Sequence, residues 1–244
     1  MPHHRPEAAV KPGSNPGRRV ILWRHGRTEW NVAGRVQGQT DIPLDEVGRQ
    51  QAEDAAARLA SLQPARIVSS DLSRAADTAR ALAARTGLEV ELDPRLRELA
   101  FGAREGLTWR ESWERFPTEM QAWADGDETR IEGAETHAQA GARLDVALRE
   151  HIEQLPLGET LVVVAHGAVL RTGALTFLGI AEQSWRQFGG LSNCHWSVLQ
   201  EARWEDMSQW RLAEWNSGSL PEPVMSDDEA DEPDPGLGNS GASR

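Results

Sequence analysis

The amino-acid sequence predicts an α/β protein, a three-layer α/β/α sandwich around a mostly parallel central sheet. Two observations support this prediction. Short apolar runs of strand length alternate along the chain with longer segments whose apolar residues recur at helical spacing. The resulting β-α-β order places parallel strands in one sheet and helices on both of its faces.

The first half of the chain supplies three strands and two helices. The strands are predicted at residues 19–23, 66–69 and 88–92. The first helix begins near Asp45. The second helix carries Ala75, Ala79 and Leu82 on its apolar face. It ends at Gly87, because glycine readily adopts the left-handed conformation that follows many helices.

The second half of the chain contains two helix starts and a strongly apolar strand. Residues 108–111 and 136–139 have the pattern of a capping box, so each opens a helix. The run Leu-Val-Val-Val-Ala at 161–165 is the clearest buried strand, and the helix after it ends at Gly179. The last two strands are predicted at 195–200 and 209–215.

The two ends of the chain differ in composition from its middle. Residues 1–17 are rich in Pro and Gly, and residues 217–244 carry seven acidic residues against one basic residue. Segments with so few large apolar side chains cannot bury enough surface to fold. We therefore predict a disordered leader at 1–17, one folded domain at 18–216 and a disordered acidic tail at 217–244.

Composition and charge argue against several classes of function. The 244 residues carry a formal net charge of −12, whereas a nucleic-acid surface needs clustered positive charge. The apolar runs are shorter than the roughly 20 residues that a membrane span requires. The N-terminal residues lack the apolar core of a secretory signal, and the single cysteine excludes a disulfide framework. We therefore expect a cytoplasmic protein with no nucleic-acid or membrane partner.

The candidate catalytic residues follow the predicted strands. Arg24 and His25 come at the end of the first strand, and His166 follows the strand at 161–165. Arg74 stands beyond the second strand and Glu98 beyond the third. Ligands of open α/β sheets bind beyond the carboxyl ends of the strands. We therefore expect these five side chains to converge on one site.

Two histidines, two arginines and a glutamate suit an anionic ligand better than a metal. Arg24 beside His25 would repel a divalent cation, whereas guanidinium groups bind phosphate oxygens in pairs. A histidine can attack phosphorus as a nucleophile, and a nearby carboxyl group can protonate the leaving alkoxide. A metal site formed by the two histidines and the glutamate is the alternative that these residues leave open.

The motifs resemble those of a known family. The octapeptide Arg-His-Gly-Arg-Thr-Glu-Trp-Asn at 24–31 is similar to the signature of the histidine phosphatase superfamily, which includes the cofactor-dependent phosphoglycerate mutases. Further family motifs follow in order at 37–38, 69–74, 96–98 and 165–167. The resemblance covers about residues 19–216 and implies the phosphoglycerate mutase-like fold.

The resemblance also implies roles for individual residues. His25 would become phosphohistidine, and Glu98 would act as proton donor and base. The predicted catalytic residues are His25, Glu98, Arg24, Arg74 and His166. The predicted substrate-binding residues are Asn31, Gln37, Gly38 and Gly167. The resemblance implies no metal and no organic cofactor, a small phosphorylated substrate and a homodimer.

The expected function is metal-independent hydrolysis of a small phosphorylated metabolite through a phosphohistidine intermediate. The compact stretch from 98 to 136 resembles the phosphatase branch, because mutases of this family carry a longer insertion there. The segments 35–39, 189–193 and 210–216 resemble actinobacterial phosphatases that act on a glucosylated phosphoglycerate. Three alternatives stay open: a phosphoglycerate mutase-type activity, a ribazole phosphatase-type activity and a non-catalytic phospho-ligand binding module.

Three positions depart from the family pattern. Arg27 stands where Glu or Gln is more frequent, Arg104 stands where Trp is usual, and Ala134 replaces a Gly. We expect the two extra arginines to lie near the mouth of the pocket and to favour a more anionic substrate.

Overall fold

The computed structural model describes residues 17–204 and 207–218. Its strands are β1 (Arg19–Arg24), β2 (Arg66–Ser69), β3 (Val90–Leu92), β4 (Thr160–Ala165), β5 (Trp196–Trp204) and β6 (Met207–Ser217). Its α-helices are α1 (Glu29–Val32), α2 (Glu46–Ala60), α3 (Ser73–Thr86), α4 (Trp109–Arg115), α5 (Pro117–Ala124), α6 (His137–Glu153) and α7 (Gly167–Phe177).

The described strands form one mixed sheet in the order β3-β2-β4-β1-β5-β6. β3, β2, β4 and β1 run parallel to one another. β5 pairs antiparallel with β1, and β6 pairs antiparallel with β5. The predicted α/β class with a mostly parallel sheet is confirmed, and the carboxyl ends of β1, β2 and β4 meet at one edge.

Two apolar cores lie on opposite faces of this sheet. Val20 and Leu22 of β1 belong to one core, and the alternating residues Ile21 and Trp23 belong to the other. α6 and α7 cover the first core, where Leu144 is fully buried. The alanine-rich faces of α2 and α3 cover the second core. This arrangement is the predicted three-layer sandwich.

The predicted helix boundaries agree with the structure. Thr28, Thr108 and Thr136 each form a capping box at the start of a helix, although only the last two were predicted. Gly87 ends α3 in the left-handed conformation, with φ of 73°. Gly179 follows α7 with φ of 70°.

The predicted strand lengths were less accurate. β3 is shorter than the predicted strand because only 90–92 pair with β2 at this edge of the sheet. β5 and β6 are longer than predicted. Their antiparallel pairing continues through polar residues that the apolar pattern did not identify as strand. α1 and α5 were not predicted. Both are short, and α5 starts at Pro117 directly after α4.

A segment of short helical elements joins β3 to α6. It contains α4, α5 and three short 3₁₀ turns. In the part of the chain that the structure describes, no helix is long and apolar enough to span a membrane. The predicted leader, apart from Gly17, and the predicted acidic tail beyond Gly218 lie outside the described residues.

Candidate functional site

The predicted site residues converge at the carboxyl edge of the parallel strands. The backbone N–H of His25 donates to the carbonyl of Ala165, and that of Ser70 donates to Val164. These bonds continue the ladders of β1, β4 and β2 beyond their last residues. The rings of His25 and His166 consequently lie with their centroids 5.1 Å apart.

His25 is held as one tautomer. Its Nδ1 lies 2.7 Å from the carbonyl oxygen of Gly26. Because a carbonyl only accepts, Nδ1 carries the proton and Nε2 carries the lone pair. The His25 carbonyl accepts from the backbone N–H of Cys194 at 3.1 Å and from Nδ2 of Asn193 at 3.2 Å. The nucleophilic nitrogen of a neutral His25 is therefore Nε2.

His166 has the opposite tautomer. Nε of Arg74 lies 3.2 Å from its Nδ1, and Oγ of Ser70 lies 2.9 Å from its Nε2. A guanidinium can only donate, so Nδ1 accepts and Nε2 carries the proton. The Nε2–H group of His166 then donates to Ser70.

Arg74 is fully buried and is anchored by the loop that follows α1. Its Nη1 donates to the carbonyl of Thr40 at 2.8 Å, and its Nη2 donates to the carbonyl of Gly38 at 2.7 Å. Gly38 has a φ of 53°, and a Cβ there would lie 2.1 Å from Oε1 of Glu105. Gly38 therefore contributes through its backbone, which positions Arg74.

Arg24 is also fully buried, and its charge acts on both His25 and His166. Its Nη1 donates to the carbonyl of Leu191 at 2.5 Å. Gly167 packs against it, since a Cβ at that position would lie 3.5 Å from the Arg24 Cζ. The guanidinium groups of Arg24 and Arg74 therefore make this pocket positive within an acidic protein.

Glu98 reaches the site through the start of α7. Its Oε1 accepts from the backbone N–H groups of Leu99 and Val169, at 2.8 and 2.9 Å. Its Oε2 accepts from the N–H of Ala168 at 3.2 Å. The N-terminus of a helix favours a negative charge. The carboxylate is consequently held next to His166, which is the N-cap residue of the same helix.

Asn31 and Gln37 lie beside the nucleophile loop. Oδ1 of Asn31 accepts from the backbone N–H of Thr28 at 3.1 Å and from Asn193 Nδ2 at 3.3 Å. Oε1 of Gln37 lies 3.0 Å from the Thr28 hydroxyl. Nε2 of Gln37 is buried and has no hydrogen-bond partner among residues 17–204 and 207–218. Both amides thus lie beside Thr28, and their role in substrate binding stays a prediction.

Both histidines are neutral at physiological pH. Burial lowers the pKa of His25 well below its ordinary value of 6.5, and the charges of Arg74 and Arg24 lower it further. The pKa of His166 is also lowered well below 6.5, by burial and then by the charges of Arg74 and Arg24. Neutral His25 keeps its lone pair available over a wide pH range.

These shifts predict a loss of stability in mild acid. Below about pH 6.5 the unfolded chain binds protons at His25 and His166 that the native protein does not bind. The free energy of unfolding therefore decreases as the pH falls below that value, by at most about 1.4 kcal/mol per pH unit for each histidine. Chemical denaturation in phosphate-free buffers from about pH 8 to 5 measures this slope.

The control for this measurement is the double variant His25→Asn, His166→Asn, which should show a shallower dependence of the unfolding free energy on pH. Equal slopes in the variant and the wild-type protein would contradict the lowered pKa values.

The two extra arginines do not add exposed positive charge at the mouth. Nε of Arg27 lies 2.7 Å from Oδ2 of Asp45, so its charge is paired. Arg104 is 1% exposed, and its guanidinium lies 5.3–5.6 Å from the ring centroids of Phe101, Trp109 and Trp123. Arg104 therefore lies buried within an aromatic cluster. The expectation that the two arginines favour a more anionic substrate stays a prediction, although one is paired and the other is buried.

Several residues that support the site were not predicted. Ser70 binds His166, and Asn193 joins the His25 carbonyl to Asn31. Ser70 stands inside the motif at 69–74 and Asn193 inside the segment at 189–193. Their place in those motifs was the available signal. Within residues 17–204 and 207–218, no cluster of His, Cys, Asp and Glu could hold a metal ion.

Comparison with known proteins gives consistent matches. Residues 20–218 match the profile of the histidine phosphatase superfamily (branch 1). The chain is 36% identical over 214 residues to the glucosyl-3-phosphoglycerate phosphatase of Mycobacterium tuberculosis, covering 83% of this chain and 96% of that protein. It is 38% identical over 193 residues to a probable phosphoglycerate mutase of an Enterobacter species, covering 76% and 86%.

A solved structure gives the same result. The mycobacterial glucosyl-3-phosphoglycerate phosphatase in complex with VO3 superimposes with a TM-score of 0.76 at 37% sequence identity. The match covers 83% of this chain and 100% of that structure.

Proposed function

The chain belongs to the histidine phosphatase superfamily and is a phosphatase; from that membership we propose that it hydrolyses glucosyl-3-phosphoglycerate through His25. One observation carries the assignment of the nucleophile. His25 is buried, the charges of Arg74 and Arg24 keep it neutral, and its Nδ1 proton is committed to the Gly26 carbonyl. Its Nε2 is therefore the atom that attacks phosphorus.

The first step transfers the phosphoryl group to the enzyme. His25 Nε2 forms a bond to phosphorus while the bond between phosphorus and the ester oxygen breaks. This step requires the protonated form of Glu98, which the three backbone N–H groups around its oxygens disfavour, so its proton passes readily to the departing alkoxide. The products are phosphohistidine, the free alcohol and the Glu98 carboxylate.

The second step returns the enzyme to its starting state. The Glu98 carboxylate takes a proton from water as the water oxygen attacks the phosphohistidine. The bond between phosphorus and Nε2 breaks, and His25 recovers its lone pair. Inorganic phosphate is released and Glu98 is again protonated.

Charge on the phosphoryl oxygens is met by side chains that the fold already holds in place. The ring of His166 lies 5.1 Å from that of His25, Arg74 donates to His166, and the charges of Arg74 and Arg24 both act on His25. Asn31 presents Oδ1 to Thr28, so its Nδ2 is the atom that would donate to a phosphoryl oxygen. The buried Nε2 of Gln37 is a second amide donor. Gly38 and Gly167 contribute by positioning Arg74 and Arg24.

The choice of substrate rests on the sequence similarity to a mycobacterial phosphatase and on the sequences of three short segments. The mycobacterial glucosyl-3-phosphoglycerate phosphatase is similar over 83% of the chain. The segments 35–39, 189–193 and 210–216 resemble that branch. This substrate joins a sugar to a phosphorylated glycerate, so the pocket must accept two anionic groups.

Phosphate release from a panel of esters tests the substrate. The panel contains glucosyl-3-phosphoglycerate, 3-phosphoglycerate, ribazole phosphate and a nucleoside monophosphate. We expect kcat/KM for glucosyl-3-phosphoglycerate to exceed each of the others by at least about tenfold, a difference of about 1.4 kcal/mol in transition-state binding. A higher value for another ester would contradict the substrate and leave phosphatase activity in place.

A phosphoglycerate mutase activity is the second candidate, favoured by the 38% identity to a probable phosphoglycerate mutase. The compact segment between Glu98 and α6 argues for hydrolysis, because a mutase must shield its phosphohistidine from water. Incubation with 3-phosphoglycerate separates the two: a mutase yields 2-phosphoglycerate, and a phosphatase yields inorganic phosphate. A non-catalytic binding module would need neither His25 nor Glu98.

Location and assembly complete the proposal: a cytoplasmic homodimer. The free, buried thiol of Cys194 is consistent with a reducing compartment. The homodimer rests on the family resemblance, and light scattering coupled to size-exclusion chromatography measures it.

A further inference from the structure

Arg143 of α6 lies against the chain that carries Glu98. Its Nη1 donates to the carbonyls of Arg95 and Arg97, at 2.8 and 2.6 Å. Its Nη2 donates to the carbonyl of Glu98 at 2.8 Å and to Oε2 of Glu135 at 2.7 Å. Its Nε donates to Oε1 of Glu135 at 2.8 Å. A guanidinium has five N–H groups, and all five are used.

Glu135 extends this contact to the other side of Glu98. Its Oε2 also accepts from the backbone N–H of Ala100 at 2.9 Å, and its own N–H donates to the Ala100 carbonyl at 2.8 Å. Burial opposes ionisation, but the hydrogen bonds from Arg143 and Ala100 lower the pKa of the Glu135 carboxyl. The ionised carboxylate can therefore accept at both oxygens.

The helix that carries Arg143 is itself fixed to the helix that holds the Glu98 carboxylate. α6 and α7 approach closely, because a Cβ at Gly141 would lie 2.6 Å from Oγ1 of Thr176. A Cβ at Gly173 would lie 2.1 Å from Cδ2 of Leu144. The main chain of Glu98 is thus bound to α6, and its side chain is bound to the start of α7.

We propose that Arg143 and Glu135 are a positioning pair that sets the place of the Glu98 carboxyl group for proton transfer. The pair holds the main chain on both sides of Glu98, while the N-terminus of α7 holds its side chain. Arg143 is not a phosphate ligand, since its five N–H groups already have protein acceptors. This inference rests on the proposed function, in which Glu98 is the acid and base.

The proposal predicts a selective defect. Arg143→Lys keeps the charge but cannot reproduce the five hydrogen bonds. A small displacement of a catalytic group can cost up to about 100-fold in rate. We expect kcat/KM to fall by about 10- to 100-fold for an alkyl phosphate, whose leaving group needs a proton. For p-nitrophenyl phosphate, whose leaving group does not, we expect a change below about threefold.

The matched control is Arg149→Lys on the same helix. Among the described residues, Arg149 pairs with Asp145 and contacts Phe177. We expect this variant to leave both substrates unaffected. Inhibition by inorganic phosphate should be the same in wild type, Arg143→Lys and Arg149→Lys, because the phosphate pocket is unchanged.

Several outcomes would overturn the positioning role. Equal losses for the two substrates in Arg143→Lys, or no loss for either, would show a general structural effect or none. Glu135→Gln is the second variant and should show the same selectivity. If both variants fail to fold, the pair serves stability and the proposal fails.

Glu98→Gln measured in parallel separates this inference from its premise. If Glu98→Gln shows no dependence on the leaving group, the acid role of Glu98 fails and the positioning role fails with it. If Glu98→Gln shows that dependence and Arg143→Lys does not, only the positioning role fails.

Discussion

Substitution of His25 by alanine is expected to remove phosphatase activity, lowering kcat by about 10⁴-fold or more. The covalent route needs a nitrogen lone pair at this position, and the neighbouring His166 cannot supply it. Its Nδ1 accepts from Arg74, and its Nε2 carries the proton given to Ser70. Release of inorganic phosphate from p-nitrophenyl phosphate and from glucosyl-3-phosphoglycerate measures the loss.

His195 provides the control for this substitution. The ring of His195 contacts the carbonyl of Asn216, and His195→Gln should keep its activity. Wild-type turnover should also be unchanged in EDTA, because Arg24 and Arg74 supply the positive charge that phosphoryl transfer requires. Turnover by His25→Ala at the wild-type rate, or complete loss with the chelator, would rule out the mechanism.

Substitution of Glu98 by glutamine is expected to have the second largest effect, and that effect should depend on the leaving group. Glutamine has nearly the same shape but cannot donate and recover a proton. General acid catalysis contributes about 10²- to 10⁴-fold, so kcat/KM for alkyl phosphates should fall by that factor. The loss for p-nitrophenyl phosphate should be much smaller, because its leaving group departs without protonation.

Kinetics with a series of phosphate esters measure this dependence as the slope of log kcat/KM against the pKa of the leaving group. The slope should be steeper for Glu98→Gln than for the wild-type enzyme. Glu91→Gln is the matched control, since Glu91 of β3 is exposed and forms an ion pair with Arg66 of β2. Parallel lines for Glu98→Gln and wild type would argue against Glu98 as the acid.

Much of the fold and of the site could be predicted from the sequence, because parallel strands bring distant residues to one edge. His25, Arg74 and His166 each follow a strand, so the β-α-β order alone predicted that they meet. The structure confirms this meeting, with the two imidazole rings 5.1 Å apart. The motifs of the superfamily added Asn31 and Gln37, which local spacing would not have identified.

The remaining features depend on contacts between residues far apart in the chain. Glu98 follows β3, but its carboxylate is bound by N–H groups of Ala168 and Val169, 70 and 71 residues later. The paired charge of Arg27 and the buried cluster around Arg104 likewise follow from tertiary neighbours. A sequence pattern places such charges near the mouth but does not show that they are paired or covered.

The sequence by itself determined which residues stand at the ends of the strands, because apolar periodicity sets the strands and a parallel sheet aligns their ends. Only the tertiary structure decided what each of these residues can do. The tautomers of His25 and His166 are set by a carbonyl and a guanidinium that lie against them. Their lowered pKa values come from burial and from the two arginines. These properties arise from the packing of several segments around one pocket, and no single segment contains them.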